Sequence, residues 1–392
     1  MKRRNKKRMT AVLLVFCLAA CLFMGCGADK ATNTDAAAAP EAPAEQEEPV
    51  KESDAPAPTP DEAEQPEQTA GTRKITDMAG RELEIPAEVD KVFSTDPVAA
   101  IYLYTMDPDR MLGWNYDLND LEKKTILPEY HDLPSFGMGD SVNYEAVIAA
   151  APQAALYIAE ADEASVAEAD RLSESLGIPV IIAGSQMQDI PQVYRLLGEL
   201  FNEAQRGEEL ASYVENTFQE VTEADIPDEQ KVTVYYGNGE NSLETAPAGS
   251  THSQILDFVH AVNVADMETE GGSRVQISVE QLLAWNPEYI IVNGEPKQDI
   301  SGRSAAQEVL DNPDYATVKA VQDENVFGTP NTPFSWVDRP PGPNRVIGIR
   351  WLAKILYPDV FEYDTDTMIK EYYKLFYHLE LTDEQMTEVL GL

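Results

Sequence analysis

The chain has 392 residues, 43% of them hydrophobic and 25% charged, with a formal net charge of −40. Such an excess of carboxylates repels phosphate backbones and anionic headgroups, which argues against nucleic-acid binding and against direct adsorption to a membrane. All three cysteines (Cys17, Cys21, Cys26) precede residue 27, and no two of the four histidines (His131, His252, His260, His378) share a metal-binding spacing. The rest of the chain is therefore expected to carry no disulfide, no thiolate centre and no built-in zinc site.

Lys2, Arg3, Arg4, Lys6, Lys7 and Arg8 precede an apolar run from Met9 to Gly25. A basic start followed by a short apolar run reads as a secretory signal, although the run is close to the lower limit for spanning a bilayer. Leu22 to Cys26 resembles the lipobox of bacterial lipoproteins, with Phe23 where a leucine is usual. That resemblance implies a signal peptide at residues 1–25 and lipidation of Cys26. Leu18 to Cys21 is a rival match, but cleavage there would leave the apolar Leu22 to Met24 on the mature chain. Residues 26–72 follow as an acidic Ala/Pro/Glu stretch in which Val50 is the only large aliphatic residue after Ala28. It cannot bury enough apolar surface to offset its ordering entropy, and its prolines and like charges keep it extended. A disordered tether is expected.

From residue 73 strand-like and helix-like patterns alternate. Lys91 to Ser94 reads as a strand, Val98 to Thr105 as a helix and Arg110 to Trp114 as a strand. A helix from Val142 to Ala151 is stopped by Pro152, and Ala154 to Ile158 is a strand. Ala164 to Leu176 is a helix closed by Gly177, and Pro179 to Ile182 is a strand. Strands alternating with helices predict parallel βα units over residues 73–188. Asp189 can cap a helix with Pro191 in its first turn. After a break near Asn202, Glu203 to Thr222 predicts a helix about 30 Å long. Its Leu210, Tyr213, Val214, Phe218 and Val221 share one face, as in a packed surface helix or a spine between two lobes. Residues 189–226 are therefore the connection.

The alternation restarts after Pro227. Lys231 to Tyr236, Tyr289 to Val292 and Asn325 to Gly328 read as strands. Ser253 to Val262, Ser278 to Trp285, Ala305 to Leu310 and Arg345 to Leu356 read as helices, with two more helices at the end. Residues 227–392 would form a second lobe. The fold class is α/β: two Rossmann-like lobes joined by a single long backbone helix, with a ligand cleft between them. A connecting helix bends little, so closure on ligand should be modest.

Ile75 to Pro86 with Lys91-Val92, Asn143 to Pro152, Val279 to Pro287 with Ile290 to Val292, Phe334 to Trp336, Arg339 to Arg345, and Trp351 to Pro358 occur in that order. Together they resemble the class III substrate-binding proteins of ABC transporters, the iron–siderophore, haem and cobalamin type, over residues 73 to 361. The resemblance implies a solute-binding lipoprotein on the outer face of the cytoplasmic membrane, on the periplasmic side where the envelope has two membranes. It would deliver an iron complex to an ABC permease dimer with its ATPase. Haem, corrinoid and molybdate or tungstate are alternative cargoes. No intrinsic cofactor and no nucleic acid are implied; the bound metal complex is cargo, and a monomer is expected.

Ligands of open α/β sheets sit beyond the carboxyl ends of the strands. That rule brings the segments around Trp114, Tyr116 and Met138 in the first lobe to a cleft. From the second it brings Tyr236, Ser250, His252, Arg274 and Asn293, with the Trp336 to Arg345 segment alongside. Aromatic rings offer flat contact area, and arginines bind oxyanions through paired hydrogen bonds. Arg339, stiffened by two following prolines, and Arg345, unfavourably placed at a helix start, are the strongest candidates for an anionic cargo. Arg345 pairing with a structural carboxylate is the alternative, and Trp336 is either a cleft wall or core. His252 either ligates a cargo metal or fixes a loop. In the cobalamin-binding relative an aromatic contact lies six residues before the second-lobe glutamate; here Arg274 occupies that spacing, and Gly139 its first-lobe equivalent. The resemblance also assigns Glu145 and Glu280 to docking on permease arginines.

Two other classes are a tethered hydrolase and a ligand sensor. Gly249 to Ser253 lacks a nucleophile elbow, and Ser242 stands where a third Rossmann glycine would follow Gly237 and Gly239.

Overall fold

The computed structural model describes residues 71–391 apart from 240, 268–273 and 296–299. The signal peptide at 1–25, Cys26 and the tether as far as residue 70 lie outside the described residues. The tether was expected to run to residue 72, but the fold already begins there. β1 (Thr72–Thr76) pairs antiparallel with β2 (Glu82–Pro86), burying Ile75 and Ile85. The Asp77 carboxylate builds the turn between them, accepting from the amides of Ala79 and Arg81 at 3.1 and 2.9 Å and from Arg81 Nη2 at 2.7 Å.

The first lobe has a parallel sheet in the order β3 (Val92–Ser94), β4 (Ala154–Ala159), β5 (Val180–Gly184). α1 (Pro97–Met106), α2 (Tyr144–Ala149) and α3 (Glu163–Leu176) connect the strands. Each has a side-chain N-cap: Asp96, Asn143 and Asp162. Gly177 at φ +69 ends α3, a backbone region that disfavours other residues. The strand expected at Arg110 to Trp114 is reduced to isolated bridges, Met111 to Val92 and Trp114 to Ser135.

α4 (Ile190–Leu200) and α5 (Ala204–Thr222) form the connection, separated by Asn202 at φ +59. α5 places Leu210, Ala211 and Val214 in the first-lobe core and Val221 in that of the second. One helix thus buries its apolar face against both lobes.

The second lobe centres on parallel strands β6 (Thr233–Asn238), β10 (Tyr289–Val292) and β11 (Val326–Gly328). β8 (Val262–Asn263) pairs parallel with β6, and the short antiparallel β7 (Glu244–Thr245) and β9 (Val275–Gln276) extend the sheet. The edge ribbon carries no apolar run and left no trace in the sequence pattern. α6 (Gln254–Phe258), α7 (Val279–Trp285), α8 (Gly302–Asp311) and α9 (Lys319–Gln322) cover the lobe. The helix expected from Ser253 to Val262 stops early because His260 adopts φ +58 and Val262 turns into β8.

α10 (Arg345–Leu356) crosses back: Val346 and Ile347 join the first-lobe core, Ile349 and Leu352 the second. α11 (Thr365–Phe376) and α12 (Asp383–Leu390) then bury their apolar faces in the first-lobe core, through Ile369, Tyr372, Phe376 and Val389. The expectation that residues 227–392 form one lobe is corrected by this return. Their apolar faces match the gap left beside Tyr104 and Tyr194, a partner invisible in local pattern. Among the described residues no helix is long and apolar enough to cross a membrane.

Candidate ligand cavity between the lobes

A cavity of about 270 Å³ opens where the carboxyl ends of both sheets face each other. Pro97, Tyr116, Asn119, Glu122 and Met138 line it from the first lobe, Arg274, Asn293 and Glu295 from the second. The third wall is the segment after β11, contributing Asn331, Pro333, Phe334, Ser335, Arg339 and Pro340. Of the candidates read from sequence, Tyr116, Met138, Arg274, Asn293 and Arg339 meet here.

The first-lobe wall is set by hydrogen bonds. Buried Asn115 donates to Ser94 O at 2.9 Å and Gly137 O at 3.2 Å, tying the Met138 segment to the end of β3. Tyr116 donates its hydroxyl to Glu122 Oε1 at 2.9 Å, and Glu122 Oε2 accepts from the Asn119 amide at 2.8 Å. Burial first, then the Glu122 charge, pushes the Tyr116 phenol far above its ordinary range, so it remains a protonated donor. Asp96 caps α1 instead of facing the cavity, accepting from the Val98 and Ala99 amides at 2.8 and 3.0 Å.

On the opposite wall Arg274 Nη1 contacts Glu295 Oε1 at 2.5 Å and Glu244 Oε2 at 3.0 Å. The expectation that Arg274 seeks an anionic ligand group is corrected in part: it lines the cavity, but two carboxylates already balance its charge. Asn293 organises the third wall, its backbone oxygen accepting from Asn331 Nδ2 at 2.7 Å and its Oδ1 from Ser335 Oγ at 2.6 Å. Arg339 stands on this wall with φ +64, a region that costs a non-glycine residue energy and is tolerated where surroundings hold it.

Behind the wall lies a buried charge cluster. The fully buried Asp338 carboxylate meets His252 Nδ1 at 2.8 Å and Arg339 Nε at 3.5 Å. His252 is thus a loop anchor in this structure. Arg345 is 1% exposed and donates to Thr251 O at 2.9 Å. Burial lowers its guanidinium pKa to about 10, opposed chiefly by the Asp338 charge, so it stays cationic at neutral pH. Its expected cleft role is corrected: α10 carries it into the interior, where it bonds a backbone oxygen and feels the Asp338 charge without the close carboxylate pair of the alternative reading. Tyr236 is also fully buried. Ser250 pairs with Ser253 Oγ at 3.2 Å without reaching the cavity lining.

The two tryptophans are not cavity walls. Trp114 donates Nε1 to Tyr130 O at 2.8 Å and backs Phe334 from behind, ring centroids 6.4 Å apart. Trp336 is 1% exposed and packs edge-on against Trp351. Asn119, Glu122, Glu295, Asn331 and Asp338 escaped the sequence reading. Only two had a signal: Glu295 follows the Asn293 already singled out, and Asp338 lies inside the Trp336 to Arg345 segment. Asn119 and Glu122 sit in an irregular stretch without periodicity.

Glu145 and Glu280 are exposed in the first turns of α2 and α7, capped by Asn143 and Ser278. These helices lead into β4 and β10, each flanked by parallel strands on both sides. The two glutamates therefore occupy corresponding places in the two lobes.

The profile of a family described as "Periplasmic binding protein" matches residues 93–333. The chain is 23% identical over 334 residues to the molybdate-binding protein MolA of Haemophilus influenzae, covering 78% of this chain and 91% of MolA. It is 23% identical over 296 residues to YvrC of Bacillus subtilis, an uncharacterised ABC transporter substrate-binding lipoprotein, covering 74% of this chain and 86% of YvrC. Among solved structures, an ABC transporter solute-binding protein from Sulfurospirillum deleyianum superposes with a TM-score of 0.73 at 26% identity, covering 82% of this chain and 99% of that protein.

Proposed function

We propose that this chain, which belongs to the periplasmic binding protein family and is the extracytoplasmic substrate-binding protein of an ABC transporter, carries a compact iron complex of the siderophore type in the cavity beside Arg339. MolA is a molybdate-binding protein and the Sulfurospirillum deleyianum neighbour a solute-binding protein, which supports carriage of a solute over catalysis. The metal belongs to the cargo.

The composition of the walls carries this reading. Ring and proline carbons of Tyr116, Phe334, Pro97, Pro333 and Pro340, together with the Met138 thioether, face the cavity next to the Arg339 guanidinium. Carbon-rich faces suit the rings of an organic chelate, and the guanidinium suits its anionic donor groups. A volume of about 270 Å³ lies just below the ~300 Å³ at which small-molecule pockets begin, which favours compact cargo over haem or a corrinoid.

An oxyanion such as molybdate is the second reading, favoured by the similarity to MolA over nine-tenths of that protein. Fluorescence titration with ferric catecholates, ferric citrate, haem, cyanocobalamin and molybdate decides between them. Saturable binding of a ferric complex with none of molybdate is expected; tight molybdate binding alone overturns the iron reading. Lipidation at Cys26 and docking through Glu145 and Glu280 complete the proposal. Opposite charges would steer one glutamate per lobe onto the permease.

A further inference from the structure

Six residues of the segment between β11 and α10 line the cavity, so whatever fixes this segment shapes the cargo surface. It is held from two sides. Asn293 of the second lobe binds Asn331 and Ser335. From the first-lobe side comes α11. Tyr373 donates its hydroxyl to Thr332 O, near the start of the segment. Tyr372 donates to Pro343 O at 3.0 Å, near its end. Both tyrosines are fully buried. Their phenols are kept protonated by burial, and hence remain donors.

We propose that Tyr372 and Tyr373 are positioning residues for cargo: two adjacent hydroxyls on a helix seated in the first lobe clasp both ends of the cavity-lining segment and set its shape. Backbone carbonyls in an irregular segment have no ladder to hold them, so a buried hydroxyl on each end replaces one. The segment is thereby bonded to both lobes at once, and its ligand-facing side chains keep their spacing only while both anchors hold. Neither tyrosine touches the cavity. The cargo consequence rests on the cavity being the cargo site.

The test uses Tyr372→Phe, Tyr373→Phe and the double variant, each losing only oxygen. Phe376→Leu on the same helix serves as the control for general loosening. Hydrogen exchange of residues 331–344 in cargo-free protein is expected to accelerate at least fivefold in the double variant and not in the control. Dissociation of a ferric dihydroxybenzoate or molybdate probe is expected to quicken at least fivefold in parallel. Unchanged exchange, or equal acceleration in the control, overturns the clasp. Faster exchange with unaltered dissociation overturns the positioning role. If Arg339→Ala then also leaves dissociation unaltered, the cavity assignment falls with it. Should the double variant fail to fold, either single variant gives the same readings.

Discussion

Arg339 and Arg345 belong to one short motif, yet the fold sends them to opposite environments. Arg339 keeps a quarter of its side chain exposed at the cavity, whereas Arg345 is buried beside Asp338. Their substitutions should therefore separate binding from stability. Arg339→Ala is expected to weaken an anionic cargo at least tenfold, about 1.4 kcal/mol, with little change in melting temperature. Arg345→Met removes the buried donor to Thr251 O and the cation whose charge Asp338 favours. It should cost on the order of 3 kcal/mol of stability, seen by chemical denaturation. Sequence marked Arg339 for the backbone stiffened by two following prolines and Arg345 for its unfavourable place at a helix start. Burial, which distinguishes them, depends on the rest of the fold.

At the scale of elements, the contact that shapes the site is between α10 and the segment before it. A Cβ on Gly348 would lie 1.8 Å from Trp336 O, closer than any real contact. Gly348→Ala must push the helix off the cavity wall. Loss of at least 2 kcal/mol is expected, in the range of overpacked interiors, together with weaker cargo binding. A melting temperature equal to wild type would show that the segment gives way freely. Helices and parallel strands were legible because their apolar periodicity is local. The β7–β9 ribbon and the irregular stretch from Asp117 to Asp132 were not, because the ribbon is only two residues per strand and the stretch is shaped by side-chain hydrogen bonds such as those of Asn119 and Glu122, neither of which leaves an apolar period.

For the whole molecule, the return of α11 and α12 to the first lobe links the end of the chain to its core. His378, just after α11, accepts this role through Nε2 against Tyr104 O at 3.0 Å. Burial, its largest influence, holds its pKa below the ordinary value. The unfolded chain takes up a proton near pH 6.5 that the folded chain resists. Stability is therefore fully present above about pH 6.5 and declines as pH falls toward the lower folded value. His378→Asn, which tolerates the left-handed backbone found there, should flatten that decline between pH 7.5 and 5.5 in urea denaturation. At the same scale, Glu145→Ala with Glu280→Ala should abolish uptake in cells while leaving cargo affinity intact. Lost affinity would place these glutamates in the cleft.

The βα alternation and the long connecting helix were decided by the sequence, since each is a property of spacing within one segment. The two-lobed fold followed from motifs in a fixed order. Tertiary structure alone decided that Trp114 and Trp336 pack in the interior and that Arg274 is balanced by Glu244 and Glu295. It alone brought Asn119, Glu122, Asn331 and Asp338 to or behind the cavity and gave α11 its hold on the segment after β11. These outcomes depend on which separate segments of the chain meet in the fold, and no local pattern encodes such a meeting.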